Sequence, residues 1–255
     1  SHLLRGIFSD ASKIFDRIDD YPEIKNRIND EIELYTKVKN IDKLESMEEK
    51  KKLILELLVS VFALEGIKFY VSFLVTYVIN NSYNNKIQGA TRIIKLINFD
   101  EDLHTNMGAG LIGILRKTKS EGFSELIKSD WFDEMVDRIF DKVYEDEMDF
   151  ARYLMSFGNI PGLTEKVFEG FLKYYVDFRR KQIGCGPKYN QEKTETVTFF
   201  ETYKDLNKDN AALQESDLAV YSIGIMKNDL PEGAITLNDI KKRIAEKRAK
   251  LMGAA

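Results

Sequence analysis

Internal disulfides are excluded at the outset, because the 255 residues contain a single cysteine, Cys185. That count favours a reducing, cytoplasmic setting. Proline is scarce, at 4 residues, and glycine numbers 15. So few breakers over this length favour long helices over many short strands. Neither sign of charge dominates: 38 Lys and Arg stand against 42 Asp and Glu, a net charge of −4. A broad phosphate-binding face needs a clustered surplus of Lys and Arg, so no nucleic-acid partner is expected. No secretory leader is expected from the opening, since Ser1-His2-Leu3-Leu4-Arg5 is followed by no long apolar run. The opening also lacks an initiator Met, which points to processing or to a fragment of something longer.

What is present is apolar enough for a real core, at 44%. Residues 12–41 read as helical, broken near Tyr21-Pro22, with Ile24, Ile28, Ile32 and Tyr35 forming an amphipathic stripe. Residues 53–79, LILELLVSVFALEGIKFYVSFLVTYVI, are the most apolar stretch and are long enough to span a bilayer. Against a span stand Glu56, Glu65 and Lys68, each costing roughly 2.5 to 3.5 kcal/mol at a bilayer centre. A helix apolar all round is otherwise one buried inside a bundle, and no membrane partner is expected. Residues 80–85 (NNSYNN) predict a turn, and 86–117, 131–157 and 164–183 predict further helices, with 158–162 as a loop. From Gly184 the composition turns polar and irregular. Residues 1–184 are therefore expected to form an all-α helical domain, and 185–255 a peripheral segment and flexible tail. Within that tail, residues 238–252 could form a basic helix capped by Asn238 or Asp239.

The chemistry lies in residues 94–104, IKLINFDEDLH. Glu101 and His104 are three apart on a helix, so they project from one face and can offer a carboxylate oxygen and an imidazole nitrogen to one metal. Ile94 and Ile97 continue that stripe, which predicts a buried setting where an isolated charge would be costly. Glu65 sits amid the most apolar segment, with Phe69 and Phe73 four and eight residues on. It must be paired, protonated or metal-bound. Carboxylate-bridged two-metal bundles use one Glu from each of two helices and Glu-x-x-His from each of two others. Here one lone-Glu helix and one Glu-x-x-His helix supply half of that set. The residues alone leave other readings open: Glu-x-x-His on a solvated face, Glu65 paired with Lys68 or an Arg, and phenylalanines that only pack.

Two strings carry a family resemblance. Ala63-Leu64-Glu65-Gly66-Ile67-Lys68-Phe69-Tyr70-Val71-Ser72-Phe73 resembles the E-x-[IV]-[RK]-F-Y-x-S-F signature of class I ribonucleotide reductase small subunits. Ile93-Ile94-Lys95-Leu96-Ile97 followed by Asp100-Glu101-Asp102-Leu103-His104 is similar to that family's I-I-x-x-I-x-x-D-E-x-L-H signature. The opening, with Arg5, Asp10, Ser12 and Phe15-Asp16, resembles the stretch after the family's radical tyrosine, and the likeness extends to about residue 225.

The resemblance implies a ferritin-like di-iron carboxylate bundle, in part. Glu65, Glu101 and His104 would be metal ligands, chiefly to the second of two irons, with manganese as an alternative. Phe69, Phe73 and Ile97 would form a dry pocket shielding a radical. Asp100 would hold a metal-bound His from another helix and help relay an electron and proton. Tyr221 and Glu215 match the tail residues that pass the radical to the large subunit, where ribonucleotides are reduced. The large subunit and a second copy, as a homodimer, are the partners so implied.

The departures are equally plain. The family's first carboxylate ligand, first Glu-x-x-His and radical tyrosine would all precede Ser1, and His2 matches no ligand position. A partial sequence, an intron-split exon or the portion after a spliced intein would each account for this. The basic residues 241–250 extend past the usual end of the family's tails. A non-catalytic ferritin-like storage protein is the alternative of a different class, and a monooxygenase component a weaker one.

Overall fold

The computed structural model describes residues 29–204, together with Asp20, Tyr21, Ile24 and Arg27. Among these residues the regular elements are helical, apart from one isolated bridge between Ile160 and Leu163. They are α1 (Asn29–Lys39), a 3-10 turn (Ile41–Lys43), α2 (Met47–Ile67), α3 (Tyr70–Ser82), α4 (Gln88–Lys117), α5 (Phe123–Ile127), α6 (Asp130–Met155), α7 (Glu165–Gln182) and α8 (Glu195–Thr202). Helix starts follow local chemistry. Ser46 Oγ accepts from Glu49 N at 3.3 Å, Thr164 Oγ1 from Val167 N at 3.3 Å, and Thr194 Oγ1 from Val197 N at 3.2 Å. Each satisfies an amide that the helix leaves unpaired. The turn after α3 uses Asn84 and Asn85 at φ 53° and 60°, a left-handed conformation that asparagine tolerates better than most residues.

α2 is the central helix. It packs against α1, α4, α6 and α7, with Leu55, Val59, Phe62, Ala63 and Ile67 fully or almost fully buried. Met47–Ser82 is long and apolar enough to cross a membrane by length and composition, but 56% of its most apolar window is buried within the protein. A core helix passes the same test of length and composition.

The run at 53–79, expected as one helix, is two. The i to i−4 ladder is interrupted at Lys68-Phe69, and charged side chains from elsewhere take up the freed backbone groups. The Val71 amide donates to Glu147 Oε2 at 3.2 Å, the Gly66 carbonyl accepts from Arg179 Nε at 3.2 Å, and the Lys68 carbonyl accepts from Arg27. A side chain inserted into the ladder is a recognised cause of such a break.

Two further expectations change. The peripheral character expected from residue 185 does not hold for Val197 and Phe200, which have no exposed surface. Phe200 packs its ring 5.0 Å from Tyr70 and 5.1 Å from Phe171. The three-residue spacing of Val197 and Phe200 gives α8 one apolar side within an otherwise polar stretch. α4 also presents the opposite face to the one its isoleucines suggest. Its buried seam is Thr91, Asn98, Thr105 and Ile112, seven apart, whereas Leu96, Ile97, Leu103, Met107, Leu111 and Ile114 are exposed. Thr105 is small enough to let α4 approach α2 closely at Gly66.

Candidate metal centre

Glu65 reaches the site from the last turn of α2, and Glu101 and His104 from the middle of α4. One donor atom from each of the three lies within 4.8 Å of the other two. His104 Nδ1 stands 3.2 Å from Glu101 Oε2 and 3.5 Å from Glu65 Oε2. Donors bound to one ion at about 2.0 to 2.2 Å lie about 3 to 4 Å apart, so small side-chain adjustments suffice. The electrostatics call for a cation. Burial, and then the hydrogen-bonded Glu65 carboxylate beside it, push Glu101 up to about 7. The hydrogen bond to Glu101 in turn raises His104 above its ordinary value. Two carboxylates held against one another with an imidazole in reach suit a divalent metal better than they suit each other.

Gly66 sets the spacing. It lies next to Glu65, and a Cβ built on it would meet Arg179 Nε at 3.0 Å and the methyl of Thr105, next to His104, at 3.2 Å. Only glycine lets the two helices that carry Glu65, Glu101 and His104 come this close without displacing a neighbour.

The other residues singled out in the sequence are distributed unevenly. Phe69 and Phe73 stack with ring centroids 6.0 Å apart, Phe73 buried and Phe69 half-buried. Ile97 and Asp100 are exposed, on the same face of α4 as His104. His104 itself is exposed rather than buried, with 55% of its side chain accessible, because the apolar face of α4 points outward. The pairing of Glu65 with Lys68, open in the sequence, does not occur: Lys68 turns to Glu31 and Asp146. Tyr221, Glu215 and the basic stretch at 238–252 lie outside the described residues.

Sequence reasoning missed the ionic cluster behind the site. Asp102, next to Glu101, accepts from Arg179 Nη2 at 2.8 Å and from Lys204 Nζ and Tyr70 Oη at 3.0 and 3.1 Å. Burial pushes its carboxyl up, but Lys204 and Arg179 outweigh burial and hold it below the usual carboxylate range. Asp102, Arg179 and Lys204, with Tyr174, Tyr175 and Phe178, wall an open cleft of about 270 Å³. The signal available was position: one residue from Glu101 is about 100° round the helix, away from the face of Glu101 and His104 and toward the bundle.

Known proteins identify the family. The family model described as "Ribonucleotide reductase, small chain" matches residues 1–196. Among curated proteins, the chain is 29% identical over 249 residues to the ribonucleoside-diphosphate reductase subunit beta of Buchnera aphidicola subsp. Baizongia pistaciae, covering 90% of this chain and 65% of that protein. It is 24% identical over 247 residues to the ribonucleoside-diphosphate reductase 1 subunit beta of Escherichia coli O157:H7, with the same coverages. The phage T4 subunit beta is 29% identical over 264 residues, covering 91% of this chain and 66% of that one. The chain thus spans about two thirds of the length of these relatives. Among solved structures, a ribonucleotide reductase R2 subunit from Clostridium botulinum superposes with a TM-score of 0.64 at 22% identity, over 77% of this chain and 57% of that one. That likeness shows the fold, an all-α ferritin-like bundle. None of the matches favours the storage alternative. With its family model matched over 196 residues and both signature strings converging on one cluster, the chain belongs to the ribonucleotide reductase small-chain family.

Proposed function

We propose that this chain serves as the metal-binding portion of a radical-generating small subunit of ribonucleotide reductase, acting with a large subunit that reduces ribonucleotides. The observation that carries the reading is the convergence of Glu65, Glu101 and His104 in a chain of this family. Hard carboxylate and imidazole donors suit iron, and manganese equally. When bound, such a metal centre supplies one-electron oxidation with dioxygen as oxidant, the chemistry that generates a stored protein radical.

The chain's own residues do the rest. Glu65, Glu101 and His104 contribute half of the ligand set of a two-metal carboxylate bundle. The apolar face of α4 around His104 is the side on which helices carrying further ligands would pack, burying Ile97 and Asp100 as they do so. Phe69, Phe73 and Ile97 exclude water from the centre, and Asp100 orients an imidazole across it. Glu215 and Tyr221 carry the radical onward from the tail. A homodimer in the cytoplasm completes the reading.

Two measurements test it. Anaerobic Fe(II) and Co(II) titration should load the protein, and Glu101→Ala or His104→Ala should abolish uptake. A peptide spanning residues 210–225 should compete with the protein for a reductase large subunit. Metal uptake untouched by both substitutions, or no competition by the peptide, would remove the corresponding half of the proposal.

A further inference from the structure

One buried guanidinium touches the immediate sequence neighbours of both carboxylate ligands. Arg179, in the last turn of α7, is 2% exposed. Its Nε donates to the carbonyl of Gly66, next to Glu65, at 3.2 Å. Its Nη2 donates to Asp102 Oδ1, next to Glu101, at 2.8 Å, and also to the hydroxyl of Tyr70, next to Phe69. Its Nη1 donates to Gln182 Oε1 at 2.8 Å. A planar fork with five donors in rigid geometry can hold several acceptors in one fixed arrangement, which a lysine ammonium on a flexible stem cannot.

The contacts fall where the ligand helices need support. The Gly66 carbonyl lies two residues before the interruption at Lys68-Phe69, where the helical ladder no longer fixes the backbone. Asp102 lies on α4, opposite the outward face that bears His104. Arg179 therefore links the end of α2, the start of α3 and the middle of α4 through a single side chain. Fully buried charges are costly unless paired and hydrogen-bonded, and each of the three nitrogens of this one has a partner.

We propose that Arg179 is a positioning residue for the metal centre, holding Glu65 in register with Glu101 and His104 through the Gly66 carbonyl and the Asp102 carboxylate. The proposal rests on the metal-binding reading above. Arg179 touches no ligand side chain; it sets the separation of the backbones that carry them. Residues that orient ligands from behind commonly change metal affinity by about 10- to 100-fold when altered.

The test is a Co(II) titration of the full 255-residue protein, read by affinity and by the visible absorption of bound Co(II), with unfolding curves on the same samples. Arg179→Lys keeps the charge and loses the fork. The double variant Arg179→Met with Asp102→Leu removes both charges of the pair together, and leaves Lys204, which also binds Asp102, with part of its side chain open to water. Lys173→Ala, on the same helix as Arg179, removes an ion pair with Glu169 that reaches neither α2 nor α4. We expect Arg179→Lys and the double variant to lose about 10- to 100-fold in affinity with an altered spectrum, and Lys173→Ala to stay within about twofold of the parent. The double variant separates positioning from stability, since its loss should persist however stable it is. Losses below about fivefold in folded Arg179→Lys protein, with an unchanged spectrum, overturn the inference and leave the metal reading standing. A parent protein that takes up no Co(II) overturns both.

Discussion

Replacing Gly66 by alanine should weaken both the fold and the metal site, although alanine within a helix normally helps. The propensity gain, in the last turn of α2, is at most about 1 kcal/mol. Against it, the added Cβ meets Arg179 Nε at 3.0 Å, Thr105 Cγ2 at 3.2 Å and Arg179 Cδ at 3.3 Å. Carbon contacts settle near about 3.5 to 4.0 Å, so α2 must retreat from α4 and α7 by several tenths of an ångström, or Arg179 must leave the Gly66 carbonyl. Overpacking of this kind costs about 1 to 3 kcal/mol, which leaves a net loss of about 0 to 2 kcal/mol. The retreat runs along the direction that separates Glu65 from Glu101 and His104, so Co(II) affinity should fall about tenfold or more. Gly110→Ala in exposed α4 is the control, because nothing stands within 4 Å of its added Cβ and a gain of about 0.5 to 1 kcal/mol is expected. Urea unfolding and Co(II) titration of both variants decide the matter. A Gly66→Ala protein stabilised as much as Gly110→Ala, with undiminished affinity, would refute the reasoning.

Three other expectations follow from the same geometry. Metal must displace the proton of Glu101, whose carboxyl is pushed up to about 7 by burial and by Glu65. Affinity should therefore rise about tenfold per pH unit toward 7 and flatten above it, with His104 steepening the acid side. Calorimetric titrations between about pH 5.5 and 8 check this, and a flat profile contradicts it. Burial raises Glu147 to about 7, above an unfolded value of about 4.3, so the folded protein holds this proton more tightly and loses stability as pH rises between the two. Glu147→Gln mimics the protonated acid: it should match the parent near pH 5 and exceed it above pH 7, by on the order of 2 kcal/mol. Denaturation at both pH values reads this, and a parent that remains the more stable at high pH counts against it. Phe200→Ala, removing a fully buried ring between Tyr70 and Phe171, should cost about 3 to 5 kcal/mol in a thermal or urea melt. A cost under about 1 kcal/mol would return α8 to the periphery.

Much of this protein was legible in its residues. The scarcity of proline and the apolar periodicity place α4, α6 and α7 within a few residues of where they stand, whereas α8 lies in a stretch that reads as irregular. The spacing of Glu101 and His104, with Glu65 in its apolar run, marked the donors that meet within 4.8 Å. These features are local, and local chemistry writes them directly into the chain.

What the residues left undecided was non-local. Periodicity tells which residues share a face of α4 but not which face turns inward. Thr91, Asn98 and Thr105 took that position beside Ile112, with Thr105 letting α4 approach Gly66, and Ile93, Ile97 and Ile114 were left outside. The break in the 53–79 run has no proline to announce it. It depends on Glu147 and Arg179, which arrive from 76 and 113 residues away to bind backbone groups that an isolated helix would bond internally. Arg179 and Asp102 meet across 77 residues. Only tertiary structure could decide these features, because a buried charge takes its role from partners that folding alone brings within reach.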